Sequence, residues 1–195
     1  EDKYDKSLDK LIQDYIFSKN GMLSLNFNPY KTFDQNKIVP SEIDDYFRLG
    51  ELKGYVHDMG AAMQGGIGGH AGLFGNSLDV AKMMQLYIQK GLYGDERFFG
   101  EKIFDEFNKC HFCDKGVRRG IGFDKPELND KENLSSECLS KASFGHSGFT
   151  GTYTWADPEN QIIYVFLSNR TYPTMENRKL IDYNIRTEIK KIIFE

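Results

Sequence analysis

The sequence predicts an α+β fold in which an antiparallel β-sheet is flanked by helices. Helical periodicity dominates the first part of the chain, residues 142–169 have the pattern of three short strands joined by turns, and a last helical pattern follows. Helices followed by consecutive antiparallel strands are typical of an α+β fold, whereas a parallel sheet needs alternating strands and helices. We therefore expect a single domain over residues 1–195, with a mainly helical and loop region at 1–141 and a three-stranded antiparallel meander plus a C-terminal helix at 142–195.

Three helices are predicted before the strands. Apolar residues within 4–19 recur at intervals of three and four, which indicates an amphipathic helix; they are Leu8, Leu11, Ile12, Tyr15 and Ile16. Asn76 or Ser77 offers an N-cap to a helix that continues to residue 90 and stops at Gly91. A further helix is predicted at 100–110 from Ile103, Phe104 and Phe107.

The remaining segments give weaker patterns. A short helix is possible at 41–48, and a short strand at 120–123 is expected within a polar loop over 113–140. The C-terminal helix is predicted from one apolar stripe; its members are Leu180, Ile181, Ile185, Ile189, Ile192 and Ile193.

Charge and hydropathy exclude two classes of partner. The formal net charge is -4, and a chain without a basic field is a poor candidate for binding nucleic acid. No run approaches the roughly 18 to 20 apolar residues that a membrane span requires, and the polar residues 1–6 are no signal peptide. We therefore expect a globular chain that has no membrane span and does not bind nucleic acid.

The three cysteines, Cys110, Cys113 and Cys138, allow more than one interpretation. Residues 110–113, CHFC, have the spacing of a metal knuckle or a redox pair, but a zinc site needs about four ligands and a redox pair needs a strand-to-helix context. Ordinary thiols or an adventitious pair is the favoured interpretation, and we expect no metal. A metal site that includes His111 and Cys138 is the weaker alternative.

Residues 66–71, GIGGHA, match a relaxed dinucleotide-binding fingerprint. A true fingerprint follows a buried strand and opens a helix directly, whereas here the next helix begins only near residue 77. We therefore expect no nucleotide and no other cofactor. The glycines indicate either a close-packed loop or one wall of a binding pocket.

His57, Asp58 and His70 flank this glycine loop. A histidine beside a carboxylate can act as a general base, but adjacent residues such as 57 and 58 do not readily form a catalytic pair in a helix or a strand. A structural hydrogen-bonding role is therefore favoured. Because of their position beside the loop, we retain all three as candidate substrate-binding residues.

The most informative segment is residues 144–151, FGHSGFTG. Ser147 is a poor nucleophile candidate because the segment misses the G-x-S-x-G pattern and is followed by sheet and not by a helix. Instead His146 can supply a cation or a hydrogen bond, Gly148 permits close approach, and the backbone amide of Phe149 can point at a developing oxyanion. His146 and Phe149 are thus the candidate catalytic residues, with Ser147 and Gly148 as substrate-binding neighbours. The alternative is a tight bend that contains a buried histidine.

Together these segments resemble the serine β-lactamase-like family, most of all class C-type serine hydrolases and esterases, which are relatives of penicillin-binding proteins. The resemblance is carried by residues 69–74 (GHAGLF) before a capped helix, by residues 145–151 (GHSGFTG), and by WADP and VFLSNR further along. In that family a K-T-G or H-x-G triplet lines the active site from an edge strand, and residues 146–148 match the H-x-G form. The resemblance implies the C-terminal part of the β-lactamase/transpeptidase-like fold.

The family's nucleophile motif, S-x-x-K, and its tyrosine motif have no convincing counterpart here. Residues 7–10 (SLDK) fit S-x-x-K, but the serine and lysine content makes one such spacing expected by chance, and the position aligns with a later helix of the family. The resemblance therefore implies a partial domain that lacks the nucleophile and is inactive by itself. The alternative is a non-catalytic accessory domain that binds cell-wall peptide or sugar fragments.

The resemblance also implies a location and a partner. Family members of this type act outside the cytoplasm, on the ester, amide or β-lactam carbonyl of a small-molecule or peptide substrate. The strand at 161–169 would pair in the family with a strand from the missing N-terminal portion. We therefore expect self-association through this edge.

Overall fold

A computed structural model describes residues 1–126 and 139–194 of the chain. It confirms the α+β class, with six α-helices and nine short strands in the described part. The described residues form two compact units. The first contains Glu1–Val80, Phe149–Gly151 and Leu167–Lys179, and the second contains Ala81–Gly148, Thr152–Phe166 and Leu180–Glu195.

The first unit is built from two short antiparallel pairs and two helices. Its elements are α1 (Leu8–Ile12), continued by a π-helical turn (Gln13–Phe17), β1 (Asn26–Phe27), β2 (Pro40–Asp44), β3 (Gly50–Lys53), α2 (Met59–Met63) and β4 (Leu73–Phe74). β1 pairs with β4, and β2 pairs with β3. Its buried apolar side chains are Phe17, Met22, Leu25, Phe27, Leu52, Val56 and Ala61.

The second unit is centred on the predicted meander, which the structure confirms. Its elements include α3 (Ser77–Ile88), β5 (Leu92–Tyr93), β6 (Glu96–Arg97), α4 (Glu101–Asn108), β7 (Phe144–Ser147), β8 (Tyr153–Asp157), β9 (Ile162–Phe166), α5 (Lys179–Asp182) and α6 (Ile185–Phe194). The sheet is antiparallel in the order β7-β8-β9.

The sheet buries both of its faces because neighbouring residues of β8 point in opposite directions. Ala156 and its cross-strand partner Phe144 join one apolar cluster with side chains of α3 and α4. Trp155 and Tyr164, also a cross-strand pair, pack on the other face against Phe194 of α6. The second unit is therefore a helix-sheet-helix sandwich, as the α+β pattern predicts.

Three of the predicted helices are confirmed with shifted ends. α1 and its π-helical continuation lie within the predicted 4–19, but Tyr15 is exposed, and Phe17 is the buried side chain instead. In α3, Asn76 is the N-cap, since its Oδ1 accepts a hydrogen bond from the backbone N–H of Asp79 at 2.9 Å. In α4 only Phe104 of the three predicted apolar residues is buried.

Two predicted elements are wrong. Residues 41–48 form no helix: the first half of them belongs to β2, which pairs with β3 across a turn. In that turn the Asp44 carboxylate accepts hydrogen bonds from three backbone N–H groups. No strand forms at 120–123; the neighbouring Asp124 instead makes isolated bridges to Arg119 and to Gly145 of β7. Residues 127–138 of the predicted loop lie outside the described residues.

The C-terminal stripe is only partly correct. The chain breaks between α5 and α6 at Asn184, whose φ of 54° is left-handed. Ile189 packs on the core, but Ile192 is 75% exposed, and Lys190 and Phe194 are buried in place of the outer isoleucines. Lys190 places its ammonium 4.5 Å from the ring centre of Trp155, a cation–π contact that permits a lysine on the buried side.

Candidate active site

Residues 146–148 lie at the end of β7, where the strand leaves the sheet. His146 pairs with Thr154 and is half-buried, while Ser147 is exposed. Nδ1 of His146 lies 2.8 Å from the carbonyl oxygen of Ser147. Because a carbonyl oxygen only accepts, Nδ1 is the donor in this contact, and Nε2 makes no hydrogen bond within the described residues.

Two glycines of this segment are required by close backbone approach. A Cβ on Gly145 would lie 2.8 Å from Cδ2 of Trp155 and closer still to the carbonyl oxygen of Thr154. A Cβ on Gly148 would collide with Oγ1 of Thr152. The Gly148 N–H also donates a hydrogen bond to the carbonyl oxygen of Thr152 at 2.8 Å. The glycines therefore close the turn between β7 and β8.

Phe149 belongs to the first unit, where its side chain lies between two polar groups. The guanidinium of Arg170 lies 4.7 Å from the ring centre, and the His57 ring lies at a centroid distance of 5.4 Å. The side chain is still 62% exposed. The Phe149 N–H makes no hydrogen bond to any residue in the described part of the chain, so this amide has a free donor.

The His57 ring lies next to a buried carboxylate of β2, but its Nε2 makes no hydrogen bond within the described residues. Its Nε2 lies 3.0 Å from Oε2 of Glu42, a residue that is 2% exposed. The same oxygen accepts a hydrogen bond from the Tyr46 hydroxyl at 3.0 Å, and Oε1 accepts one from the Met175 N–H at 3.1 Å. Burial and the Glu42 carboxylate together raise the pKa of Tyr46 to about 12.

The backbone next to His57 is held by Arg48. Its guanidinium donates to the carbonyl oxygens of Val56 and His57, the latter at 2.8 Å, while Nε donates to Asp44 at 3.0 Å. Burial alone would raise the pKa of Asp44, but hydrogen bonds from Arg48 and from backbone N–H groups outweigh it and lower the pKa to about 2. Asp44 therefore stays ionised and fixes Arg48, which in turn fixes the chain at His57.

Asp58 and His70 meet each other across the glycine loop. Asp58 caps α2 by accepting the Ala61 N–H at 2.7 Å, and Nε2 of His70 lies 3.0 Å from the same Oδ1. The backbone hydrogen bond and the His70 contact lower the pKa of Asp58. Within the loop a Cβ on Gly72, whose φ is +117°, would collide with the carbonyl oxygen of Gly66. These contacts agree with a close-packed loop and a structural hydrogen bond.

Of the two favoured interpretations, ordinary thiols is wrong for Cys110 and Cys113, because these two cysteines are paired in a disulfide. Cys138 lies outside the described residues. Within the ranges 1–126 and 139–194, no group of three or more histidine, cysteine or acidic side chains could hold a metal ion.

Sequence reasoning missed four residues that surround His57 and Phe149: Glu42, Tyr46, Arg48 and Arg170. Residues 42 and 44 are carboxylates two apart, which place both side chains on one face of a strand. That signal was available only if β2 had been recognised as a strand. Nothing in the local sequence links residue 42 to residue 57, or residue 170 to residue 149.

Comparison with known proteins decides the family. The sequence profile of the Beta-lactamase family matches residues 2–187. The chain therefore belongs to the Beta-lactamase family. A protein of Salmonella agona named "Putative D-alanyl-D-alanine carboxypeptidase" is 30% identical in an alignment 188 residues long that covers 89% of this chain and 42% of that protein. A protein of the same name from Salmonella enteritidis matches equally well. The chain thus spans less than half the length of these relatives.

Two solved structures share the fold. Simvastatin synthase from Aspergillus terreus superposes with a TM-score of 0.59 at 13% identity, covering 95% of this chain and 50% of that one. A penicillin-binding protein homologue from Caulobacter crescentus gives a TM-score of 0.52 at 14% identity, covering 84% of this chain and 47% of that one. They confirm the β-lactamase/transpeptidase-like fold, and this chain covers about half of each.

No helix in the described part of the chain has the length and apolar character that crossing a bilayer requires.

Proposed function

We propose that this chain is the C-terminal part of a serine hydrolase domain that acts by acyl-enzyme chemistry on an ester, amide or β-lactam carbonyl. The attacking serine and its lysine would belong to the part of the relatives' length that this chain does not match. The observation that carries the proposal is the H-x-G triplet at residues 146–148, which stands at the end of β7 with Ser147 exposed. Family membership provides the chemistry in which such a triplet takes part.

The residues have distinct roles in this proposal. His146, with a free Nε2, would orient a substrate carboxylate or assist proton transfer by the missing tyrosine motif. The unpaired N–H of Phe149 would stabilise the oxyanion of the tetrahedral intermediate, as a preorganised backbone donor does. Ser147 and Gly148 would contact the substrate.

The histidines of the first unit would contribute less directly. The His57 ring contacts the exposed Phe149 ring, and Arg48 fixes the His57 backbone, so His57 would set the position of the Phe149 ring against the substrate. Asp58 and His70 remain proposed substrate-binding residues, and their mutual hydrogen bond would keep the glycine loop in shape.

An active-site probe tests the proposal. A fluorophosphonate or a labelled penicillin is expected to label the longer protein that contains this segment and to leave this chain by itself unlabelled. In the longer protein His146→Ala should lower the labelling rate by about 10²-fold, the scale of a lost acid–base group. The control His111→Ala should label at the wild-type rate, because this histidine lies outside the proposed site.

Labelling of this chain alone would contradict the missing nucleophile. A longer protein that is never acylated but binds muropeptides would instead favour the alternative, a non-catalytic accessory domain that binds cell-wall fragments. Such substrates also imply a location outside the cytoplasm, which we propose on the same basis.

A further inference from the structure

The disulfide at the end of α4 lines a cavity. Cys110 and Cys113 are both half-buried and contribute to the wall of a cavity of about 320 Å³ in the second unit. Both residues are therefore in contact with a space that a small molecule can enter. This feature plays no part in the proposed hydrolase chemistry.

Among the described residues, the other walls of the cavity carry more positive than negative side chains. Lys109, Lys125 and Lys141 line it, and Asp105, the carboxylate among these lining residues, is bound to the Lys90 ammonium at 2.8 Å. The Lys125 ammonium is buried and donates to Asn108 and to the Ser143 carbonyl oxygen, so Lys109 and Lys141 carry the accessible charge. Lys109 and Lys141 are both exposed to solvent. A cavity with one predominant sign of charge concentrates ions of the opposite sign.

The stability of the fold need not depend on this disulfide. The disulfide closes a ring of only four residues, so it removes less chain entropy from the unfolded state than a long-range disulfide does. The C-terminal end of a helix, where Cys110 lies, disfavours a thiolate. Neighbouring lysines have the opposite effect and lower thiol pKa values, so they decide whether this disulfide exchanges readily.

We propose that Cys110–Cys113 is a thiol–disulfide exchange site for small anionic thiols that enter through the lysine-lined cavity. A thiolate of the reductant attacks one cysteine sulfur, the S–S bond breaks, and its electron pair leaves on the other cysteine as a thiolate. A second reductant thiolate then attacks the mixed disulfide and releases the second cysteine thiolate. The reductant is oxidised to its own disulfide by two electrons, and both cysteines are reduced.

The experiment compares three small thiols of different charge on the folded chain. The probes are 2-mercaptoethanesulfonate, 2-mercaptoethanol and cysteamine. The reaction is quenched with iodoacetamide, reduction at residues 110 and 113 is measured by peptide mapping with mass spectrometry, and each rate is normalised to the thiolate concentration. We expect the sulfonate to react about tenfold faster than cysteamine at low salt, and this preference to shrink as ionic strength rises.

Two variants identify the cause of the preference. The double variant Lys109→Gln/Lys141→Gln should reduce it to about threefold or less, whereas the control Lys37→Gln/Lys53→Gln in the other unit should leave it unchanged. Cys138→Ser should react like the wild type at residues 110 and 113. Equal rates for sulfonate and cysteamine, or reduction only in denaturant, would overturn the proposal. Because neither outcome involves acylation, the result is independent of the proposed hydrolase function.

Discussion

Replacing Gly145 with alanine should strongly destabilise the second unit. The added Cβ would lie 2.8 Å from the indole of Trp155 and closer to the carbonyl oxygen of Thr154. Both obstacles are rigid, since one is backbone within the β7–β8 ladder and the other is a side chain that is 4% exposed. Overpacking of a well-packed core typically costs about 1–3 kcal/mol. With no flexible neighbour to give way, we expect about 3 kcal/mol.

The assay follows from the sequence, because Trp155 is the only tryptophan of the chain. Its fluorescence in urea and in thermal unfolding reports directly on the substituted site. A loss of about 3 kcal/mol corresponds to a melting temperature lowered by about 6–12 °C for a chain of this size. The matched control is Gly100→Ala, where a Cβ meets nothing within 4 Å.

Gly100 is the N-cap of α4, and alanine caps less well than glycine, so the control should lose at most about 1 kcal/mol. The reasoning is refuted if Gly145→Ala unfolds within about 0.5 kcal/mol of Gly100→Ala, the scale at which surface substitutions are indistinguishable.

Three further outcomes are expected. Asp157 is fully buried and accepts five hydrogen bonds, two of them from Ser140. In urea unfolding, Asp157→Asn should therefore lower the free energy of unfolding by about 2–3 kcal/mol and Ser140→Ala by about 1 kcal/mol. Equal losses would contradict the role of the charge. The folded-state pKa of Asp44, about 2, is below the ordinary 3.8. Its contribution of about 2 kcal/mol to the free energy of unfolding is therefore present above pH 4 and lost as pH falls towards 2. The urea midpoints of Asp44→Asn should lack this part of the pH dependence, and an unchanged dependence in acid would refute the argument. The outer edge of β9 has no strand partner among residues 1–126 and 139–194, so the chain should self-associate when its mass is measured by sedimentation. Val165→Lys should shift the chain to monomer, whereas the exposed control Ile192→Lys should not. A monomeric wild-type chain would contradict the edge-pairing proposal.

The elements that sequence reasoning predicted correctly are those with a strong local signal. β8 and β9 are five-residue runs rich in aromatic and β-branched residues and separated by a turn, and α4 places Phe104 on one apolar face. The C-terminal helix shows where this reasoning fails. Ile185, Ile189, Ile192 and Ile193 have the spacing of one helical face, yet the buried positions are decided by the fit of Lys190 and Phe194 to Trp155. That fit is a tertiary contact and leaves no periodic signal.

The two groups of candidate residues, 146–149 and those around His57, differed in how readily the sequence reveals them. Residues 146–149 could be found because their chemistry depends on backbone, and backbone exposure requires glycines, which are plain in a sequence. The environment of His57 could not be found, because it depends on Glu42 and Met175, residues that are 15 and 118 positions away and that carry no local motif.

This difference affects how variants of the site are interpreted. A substitution at Gly145 collides with β8 and one at Gly148 collides with Thr152, so a loss of activity there would report the fold and not the reaction. His146 is different, because its ring contacts only the neighbouring Ser147 carbonyl among the hydrogen bonds of the described residues, and its removal leaves the β7–β8 ladder in place. A variant at position 146 that unfolds like the wild type but no longer supports acylation of the longer protein would therefore separate chemistry from folding, which no glycine variant of this segment can do.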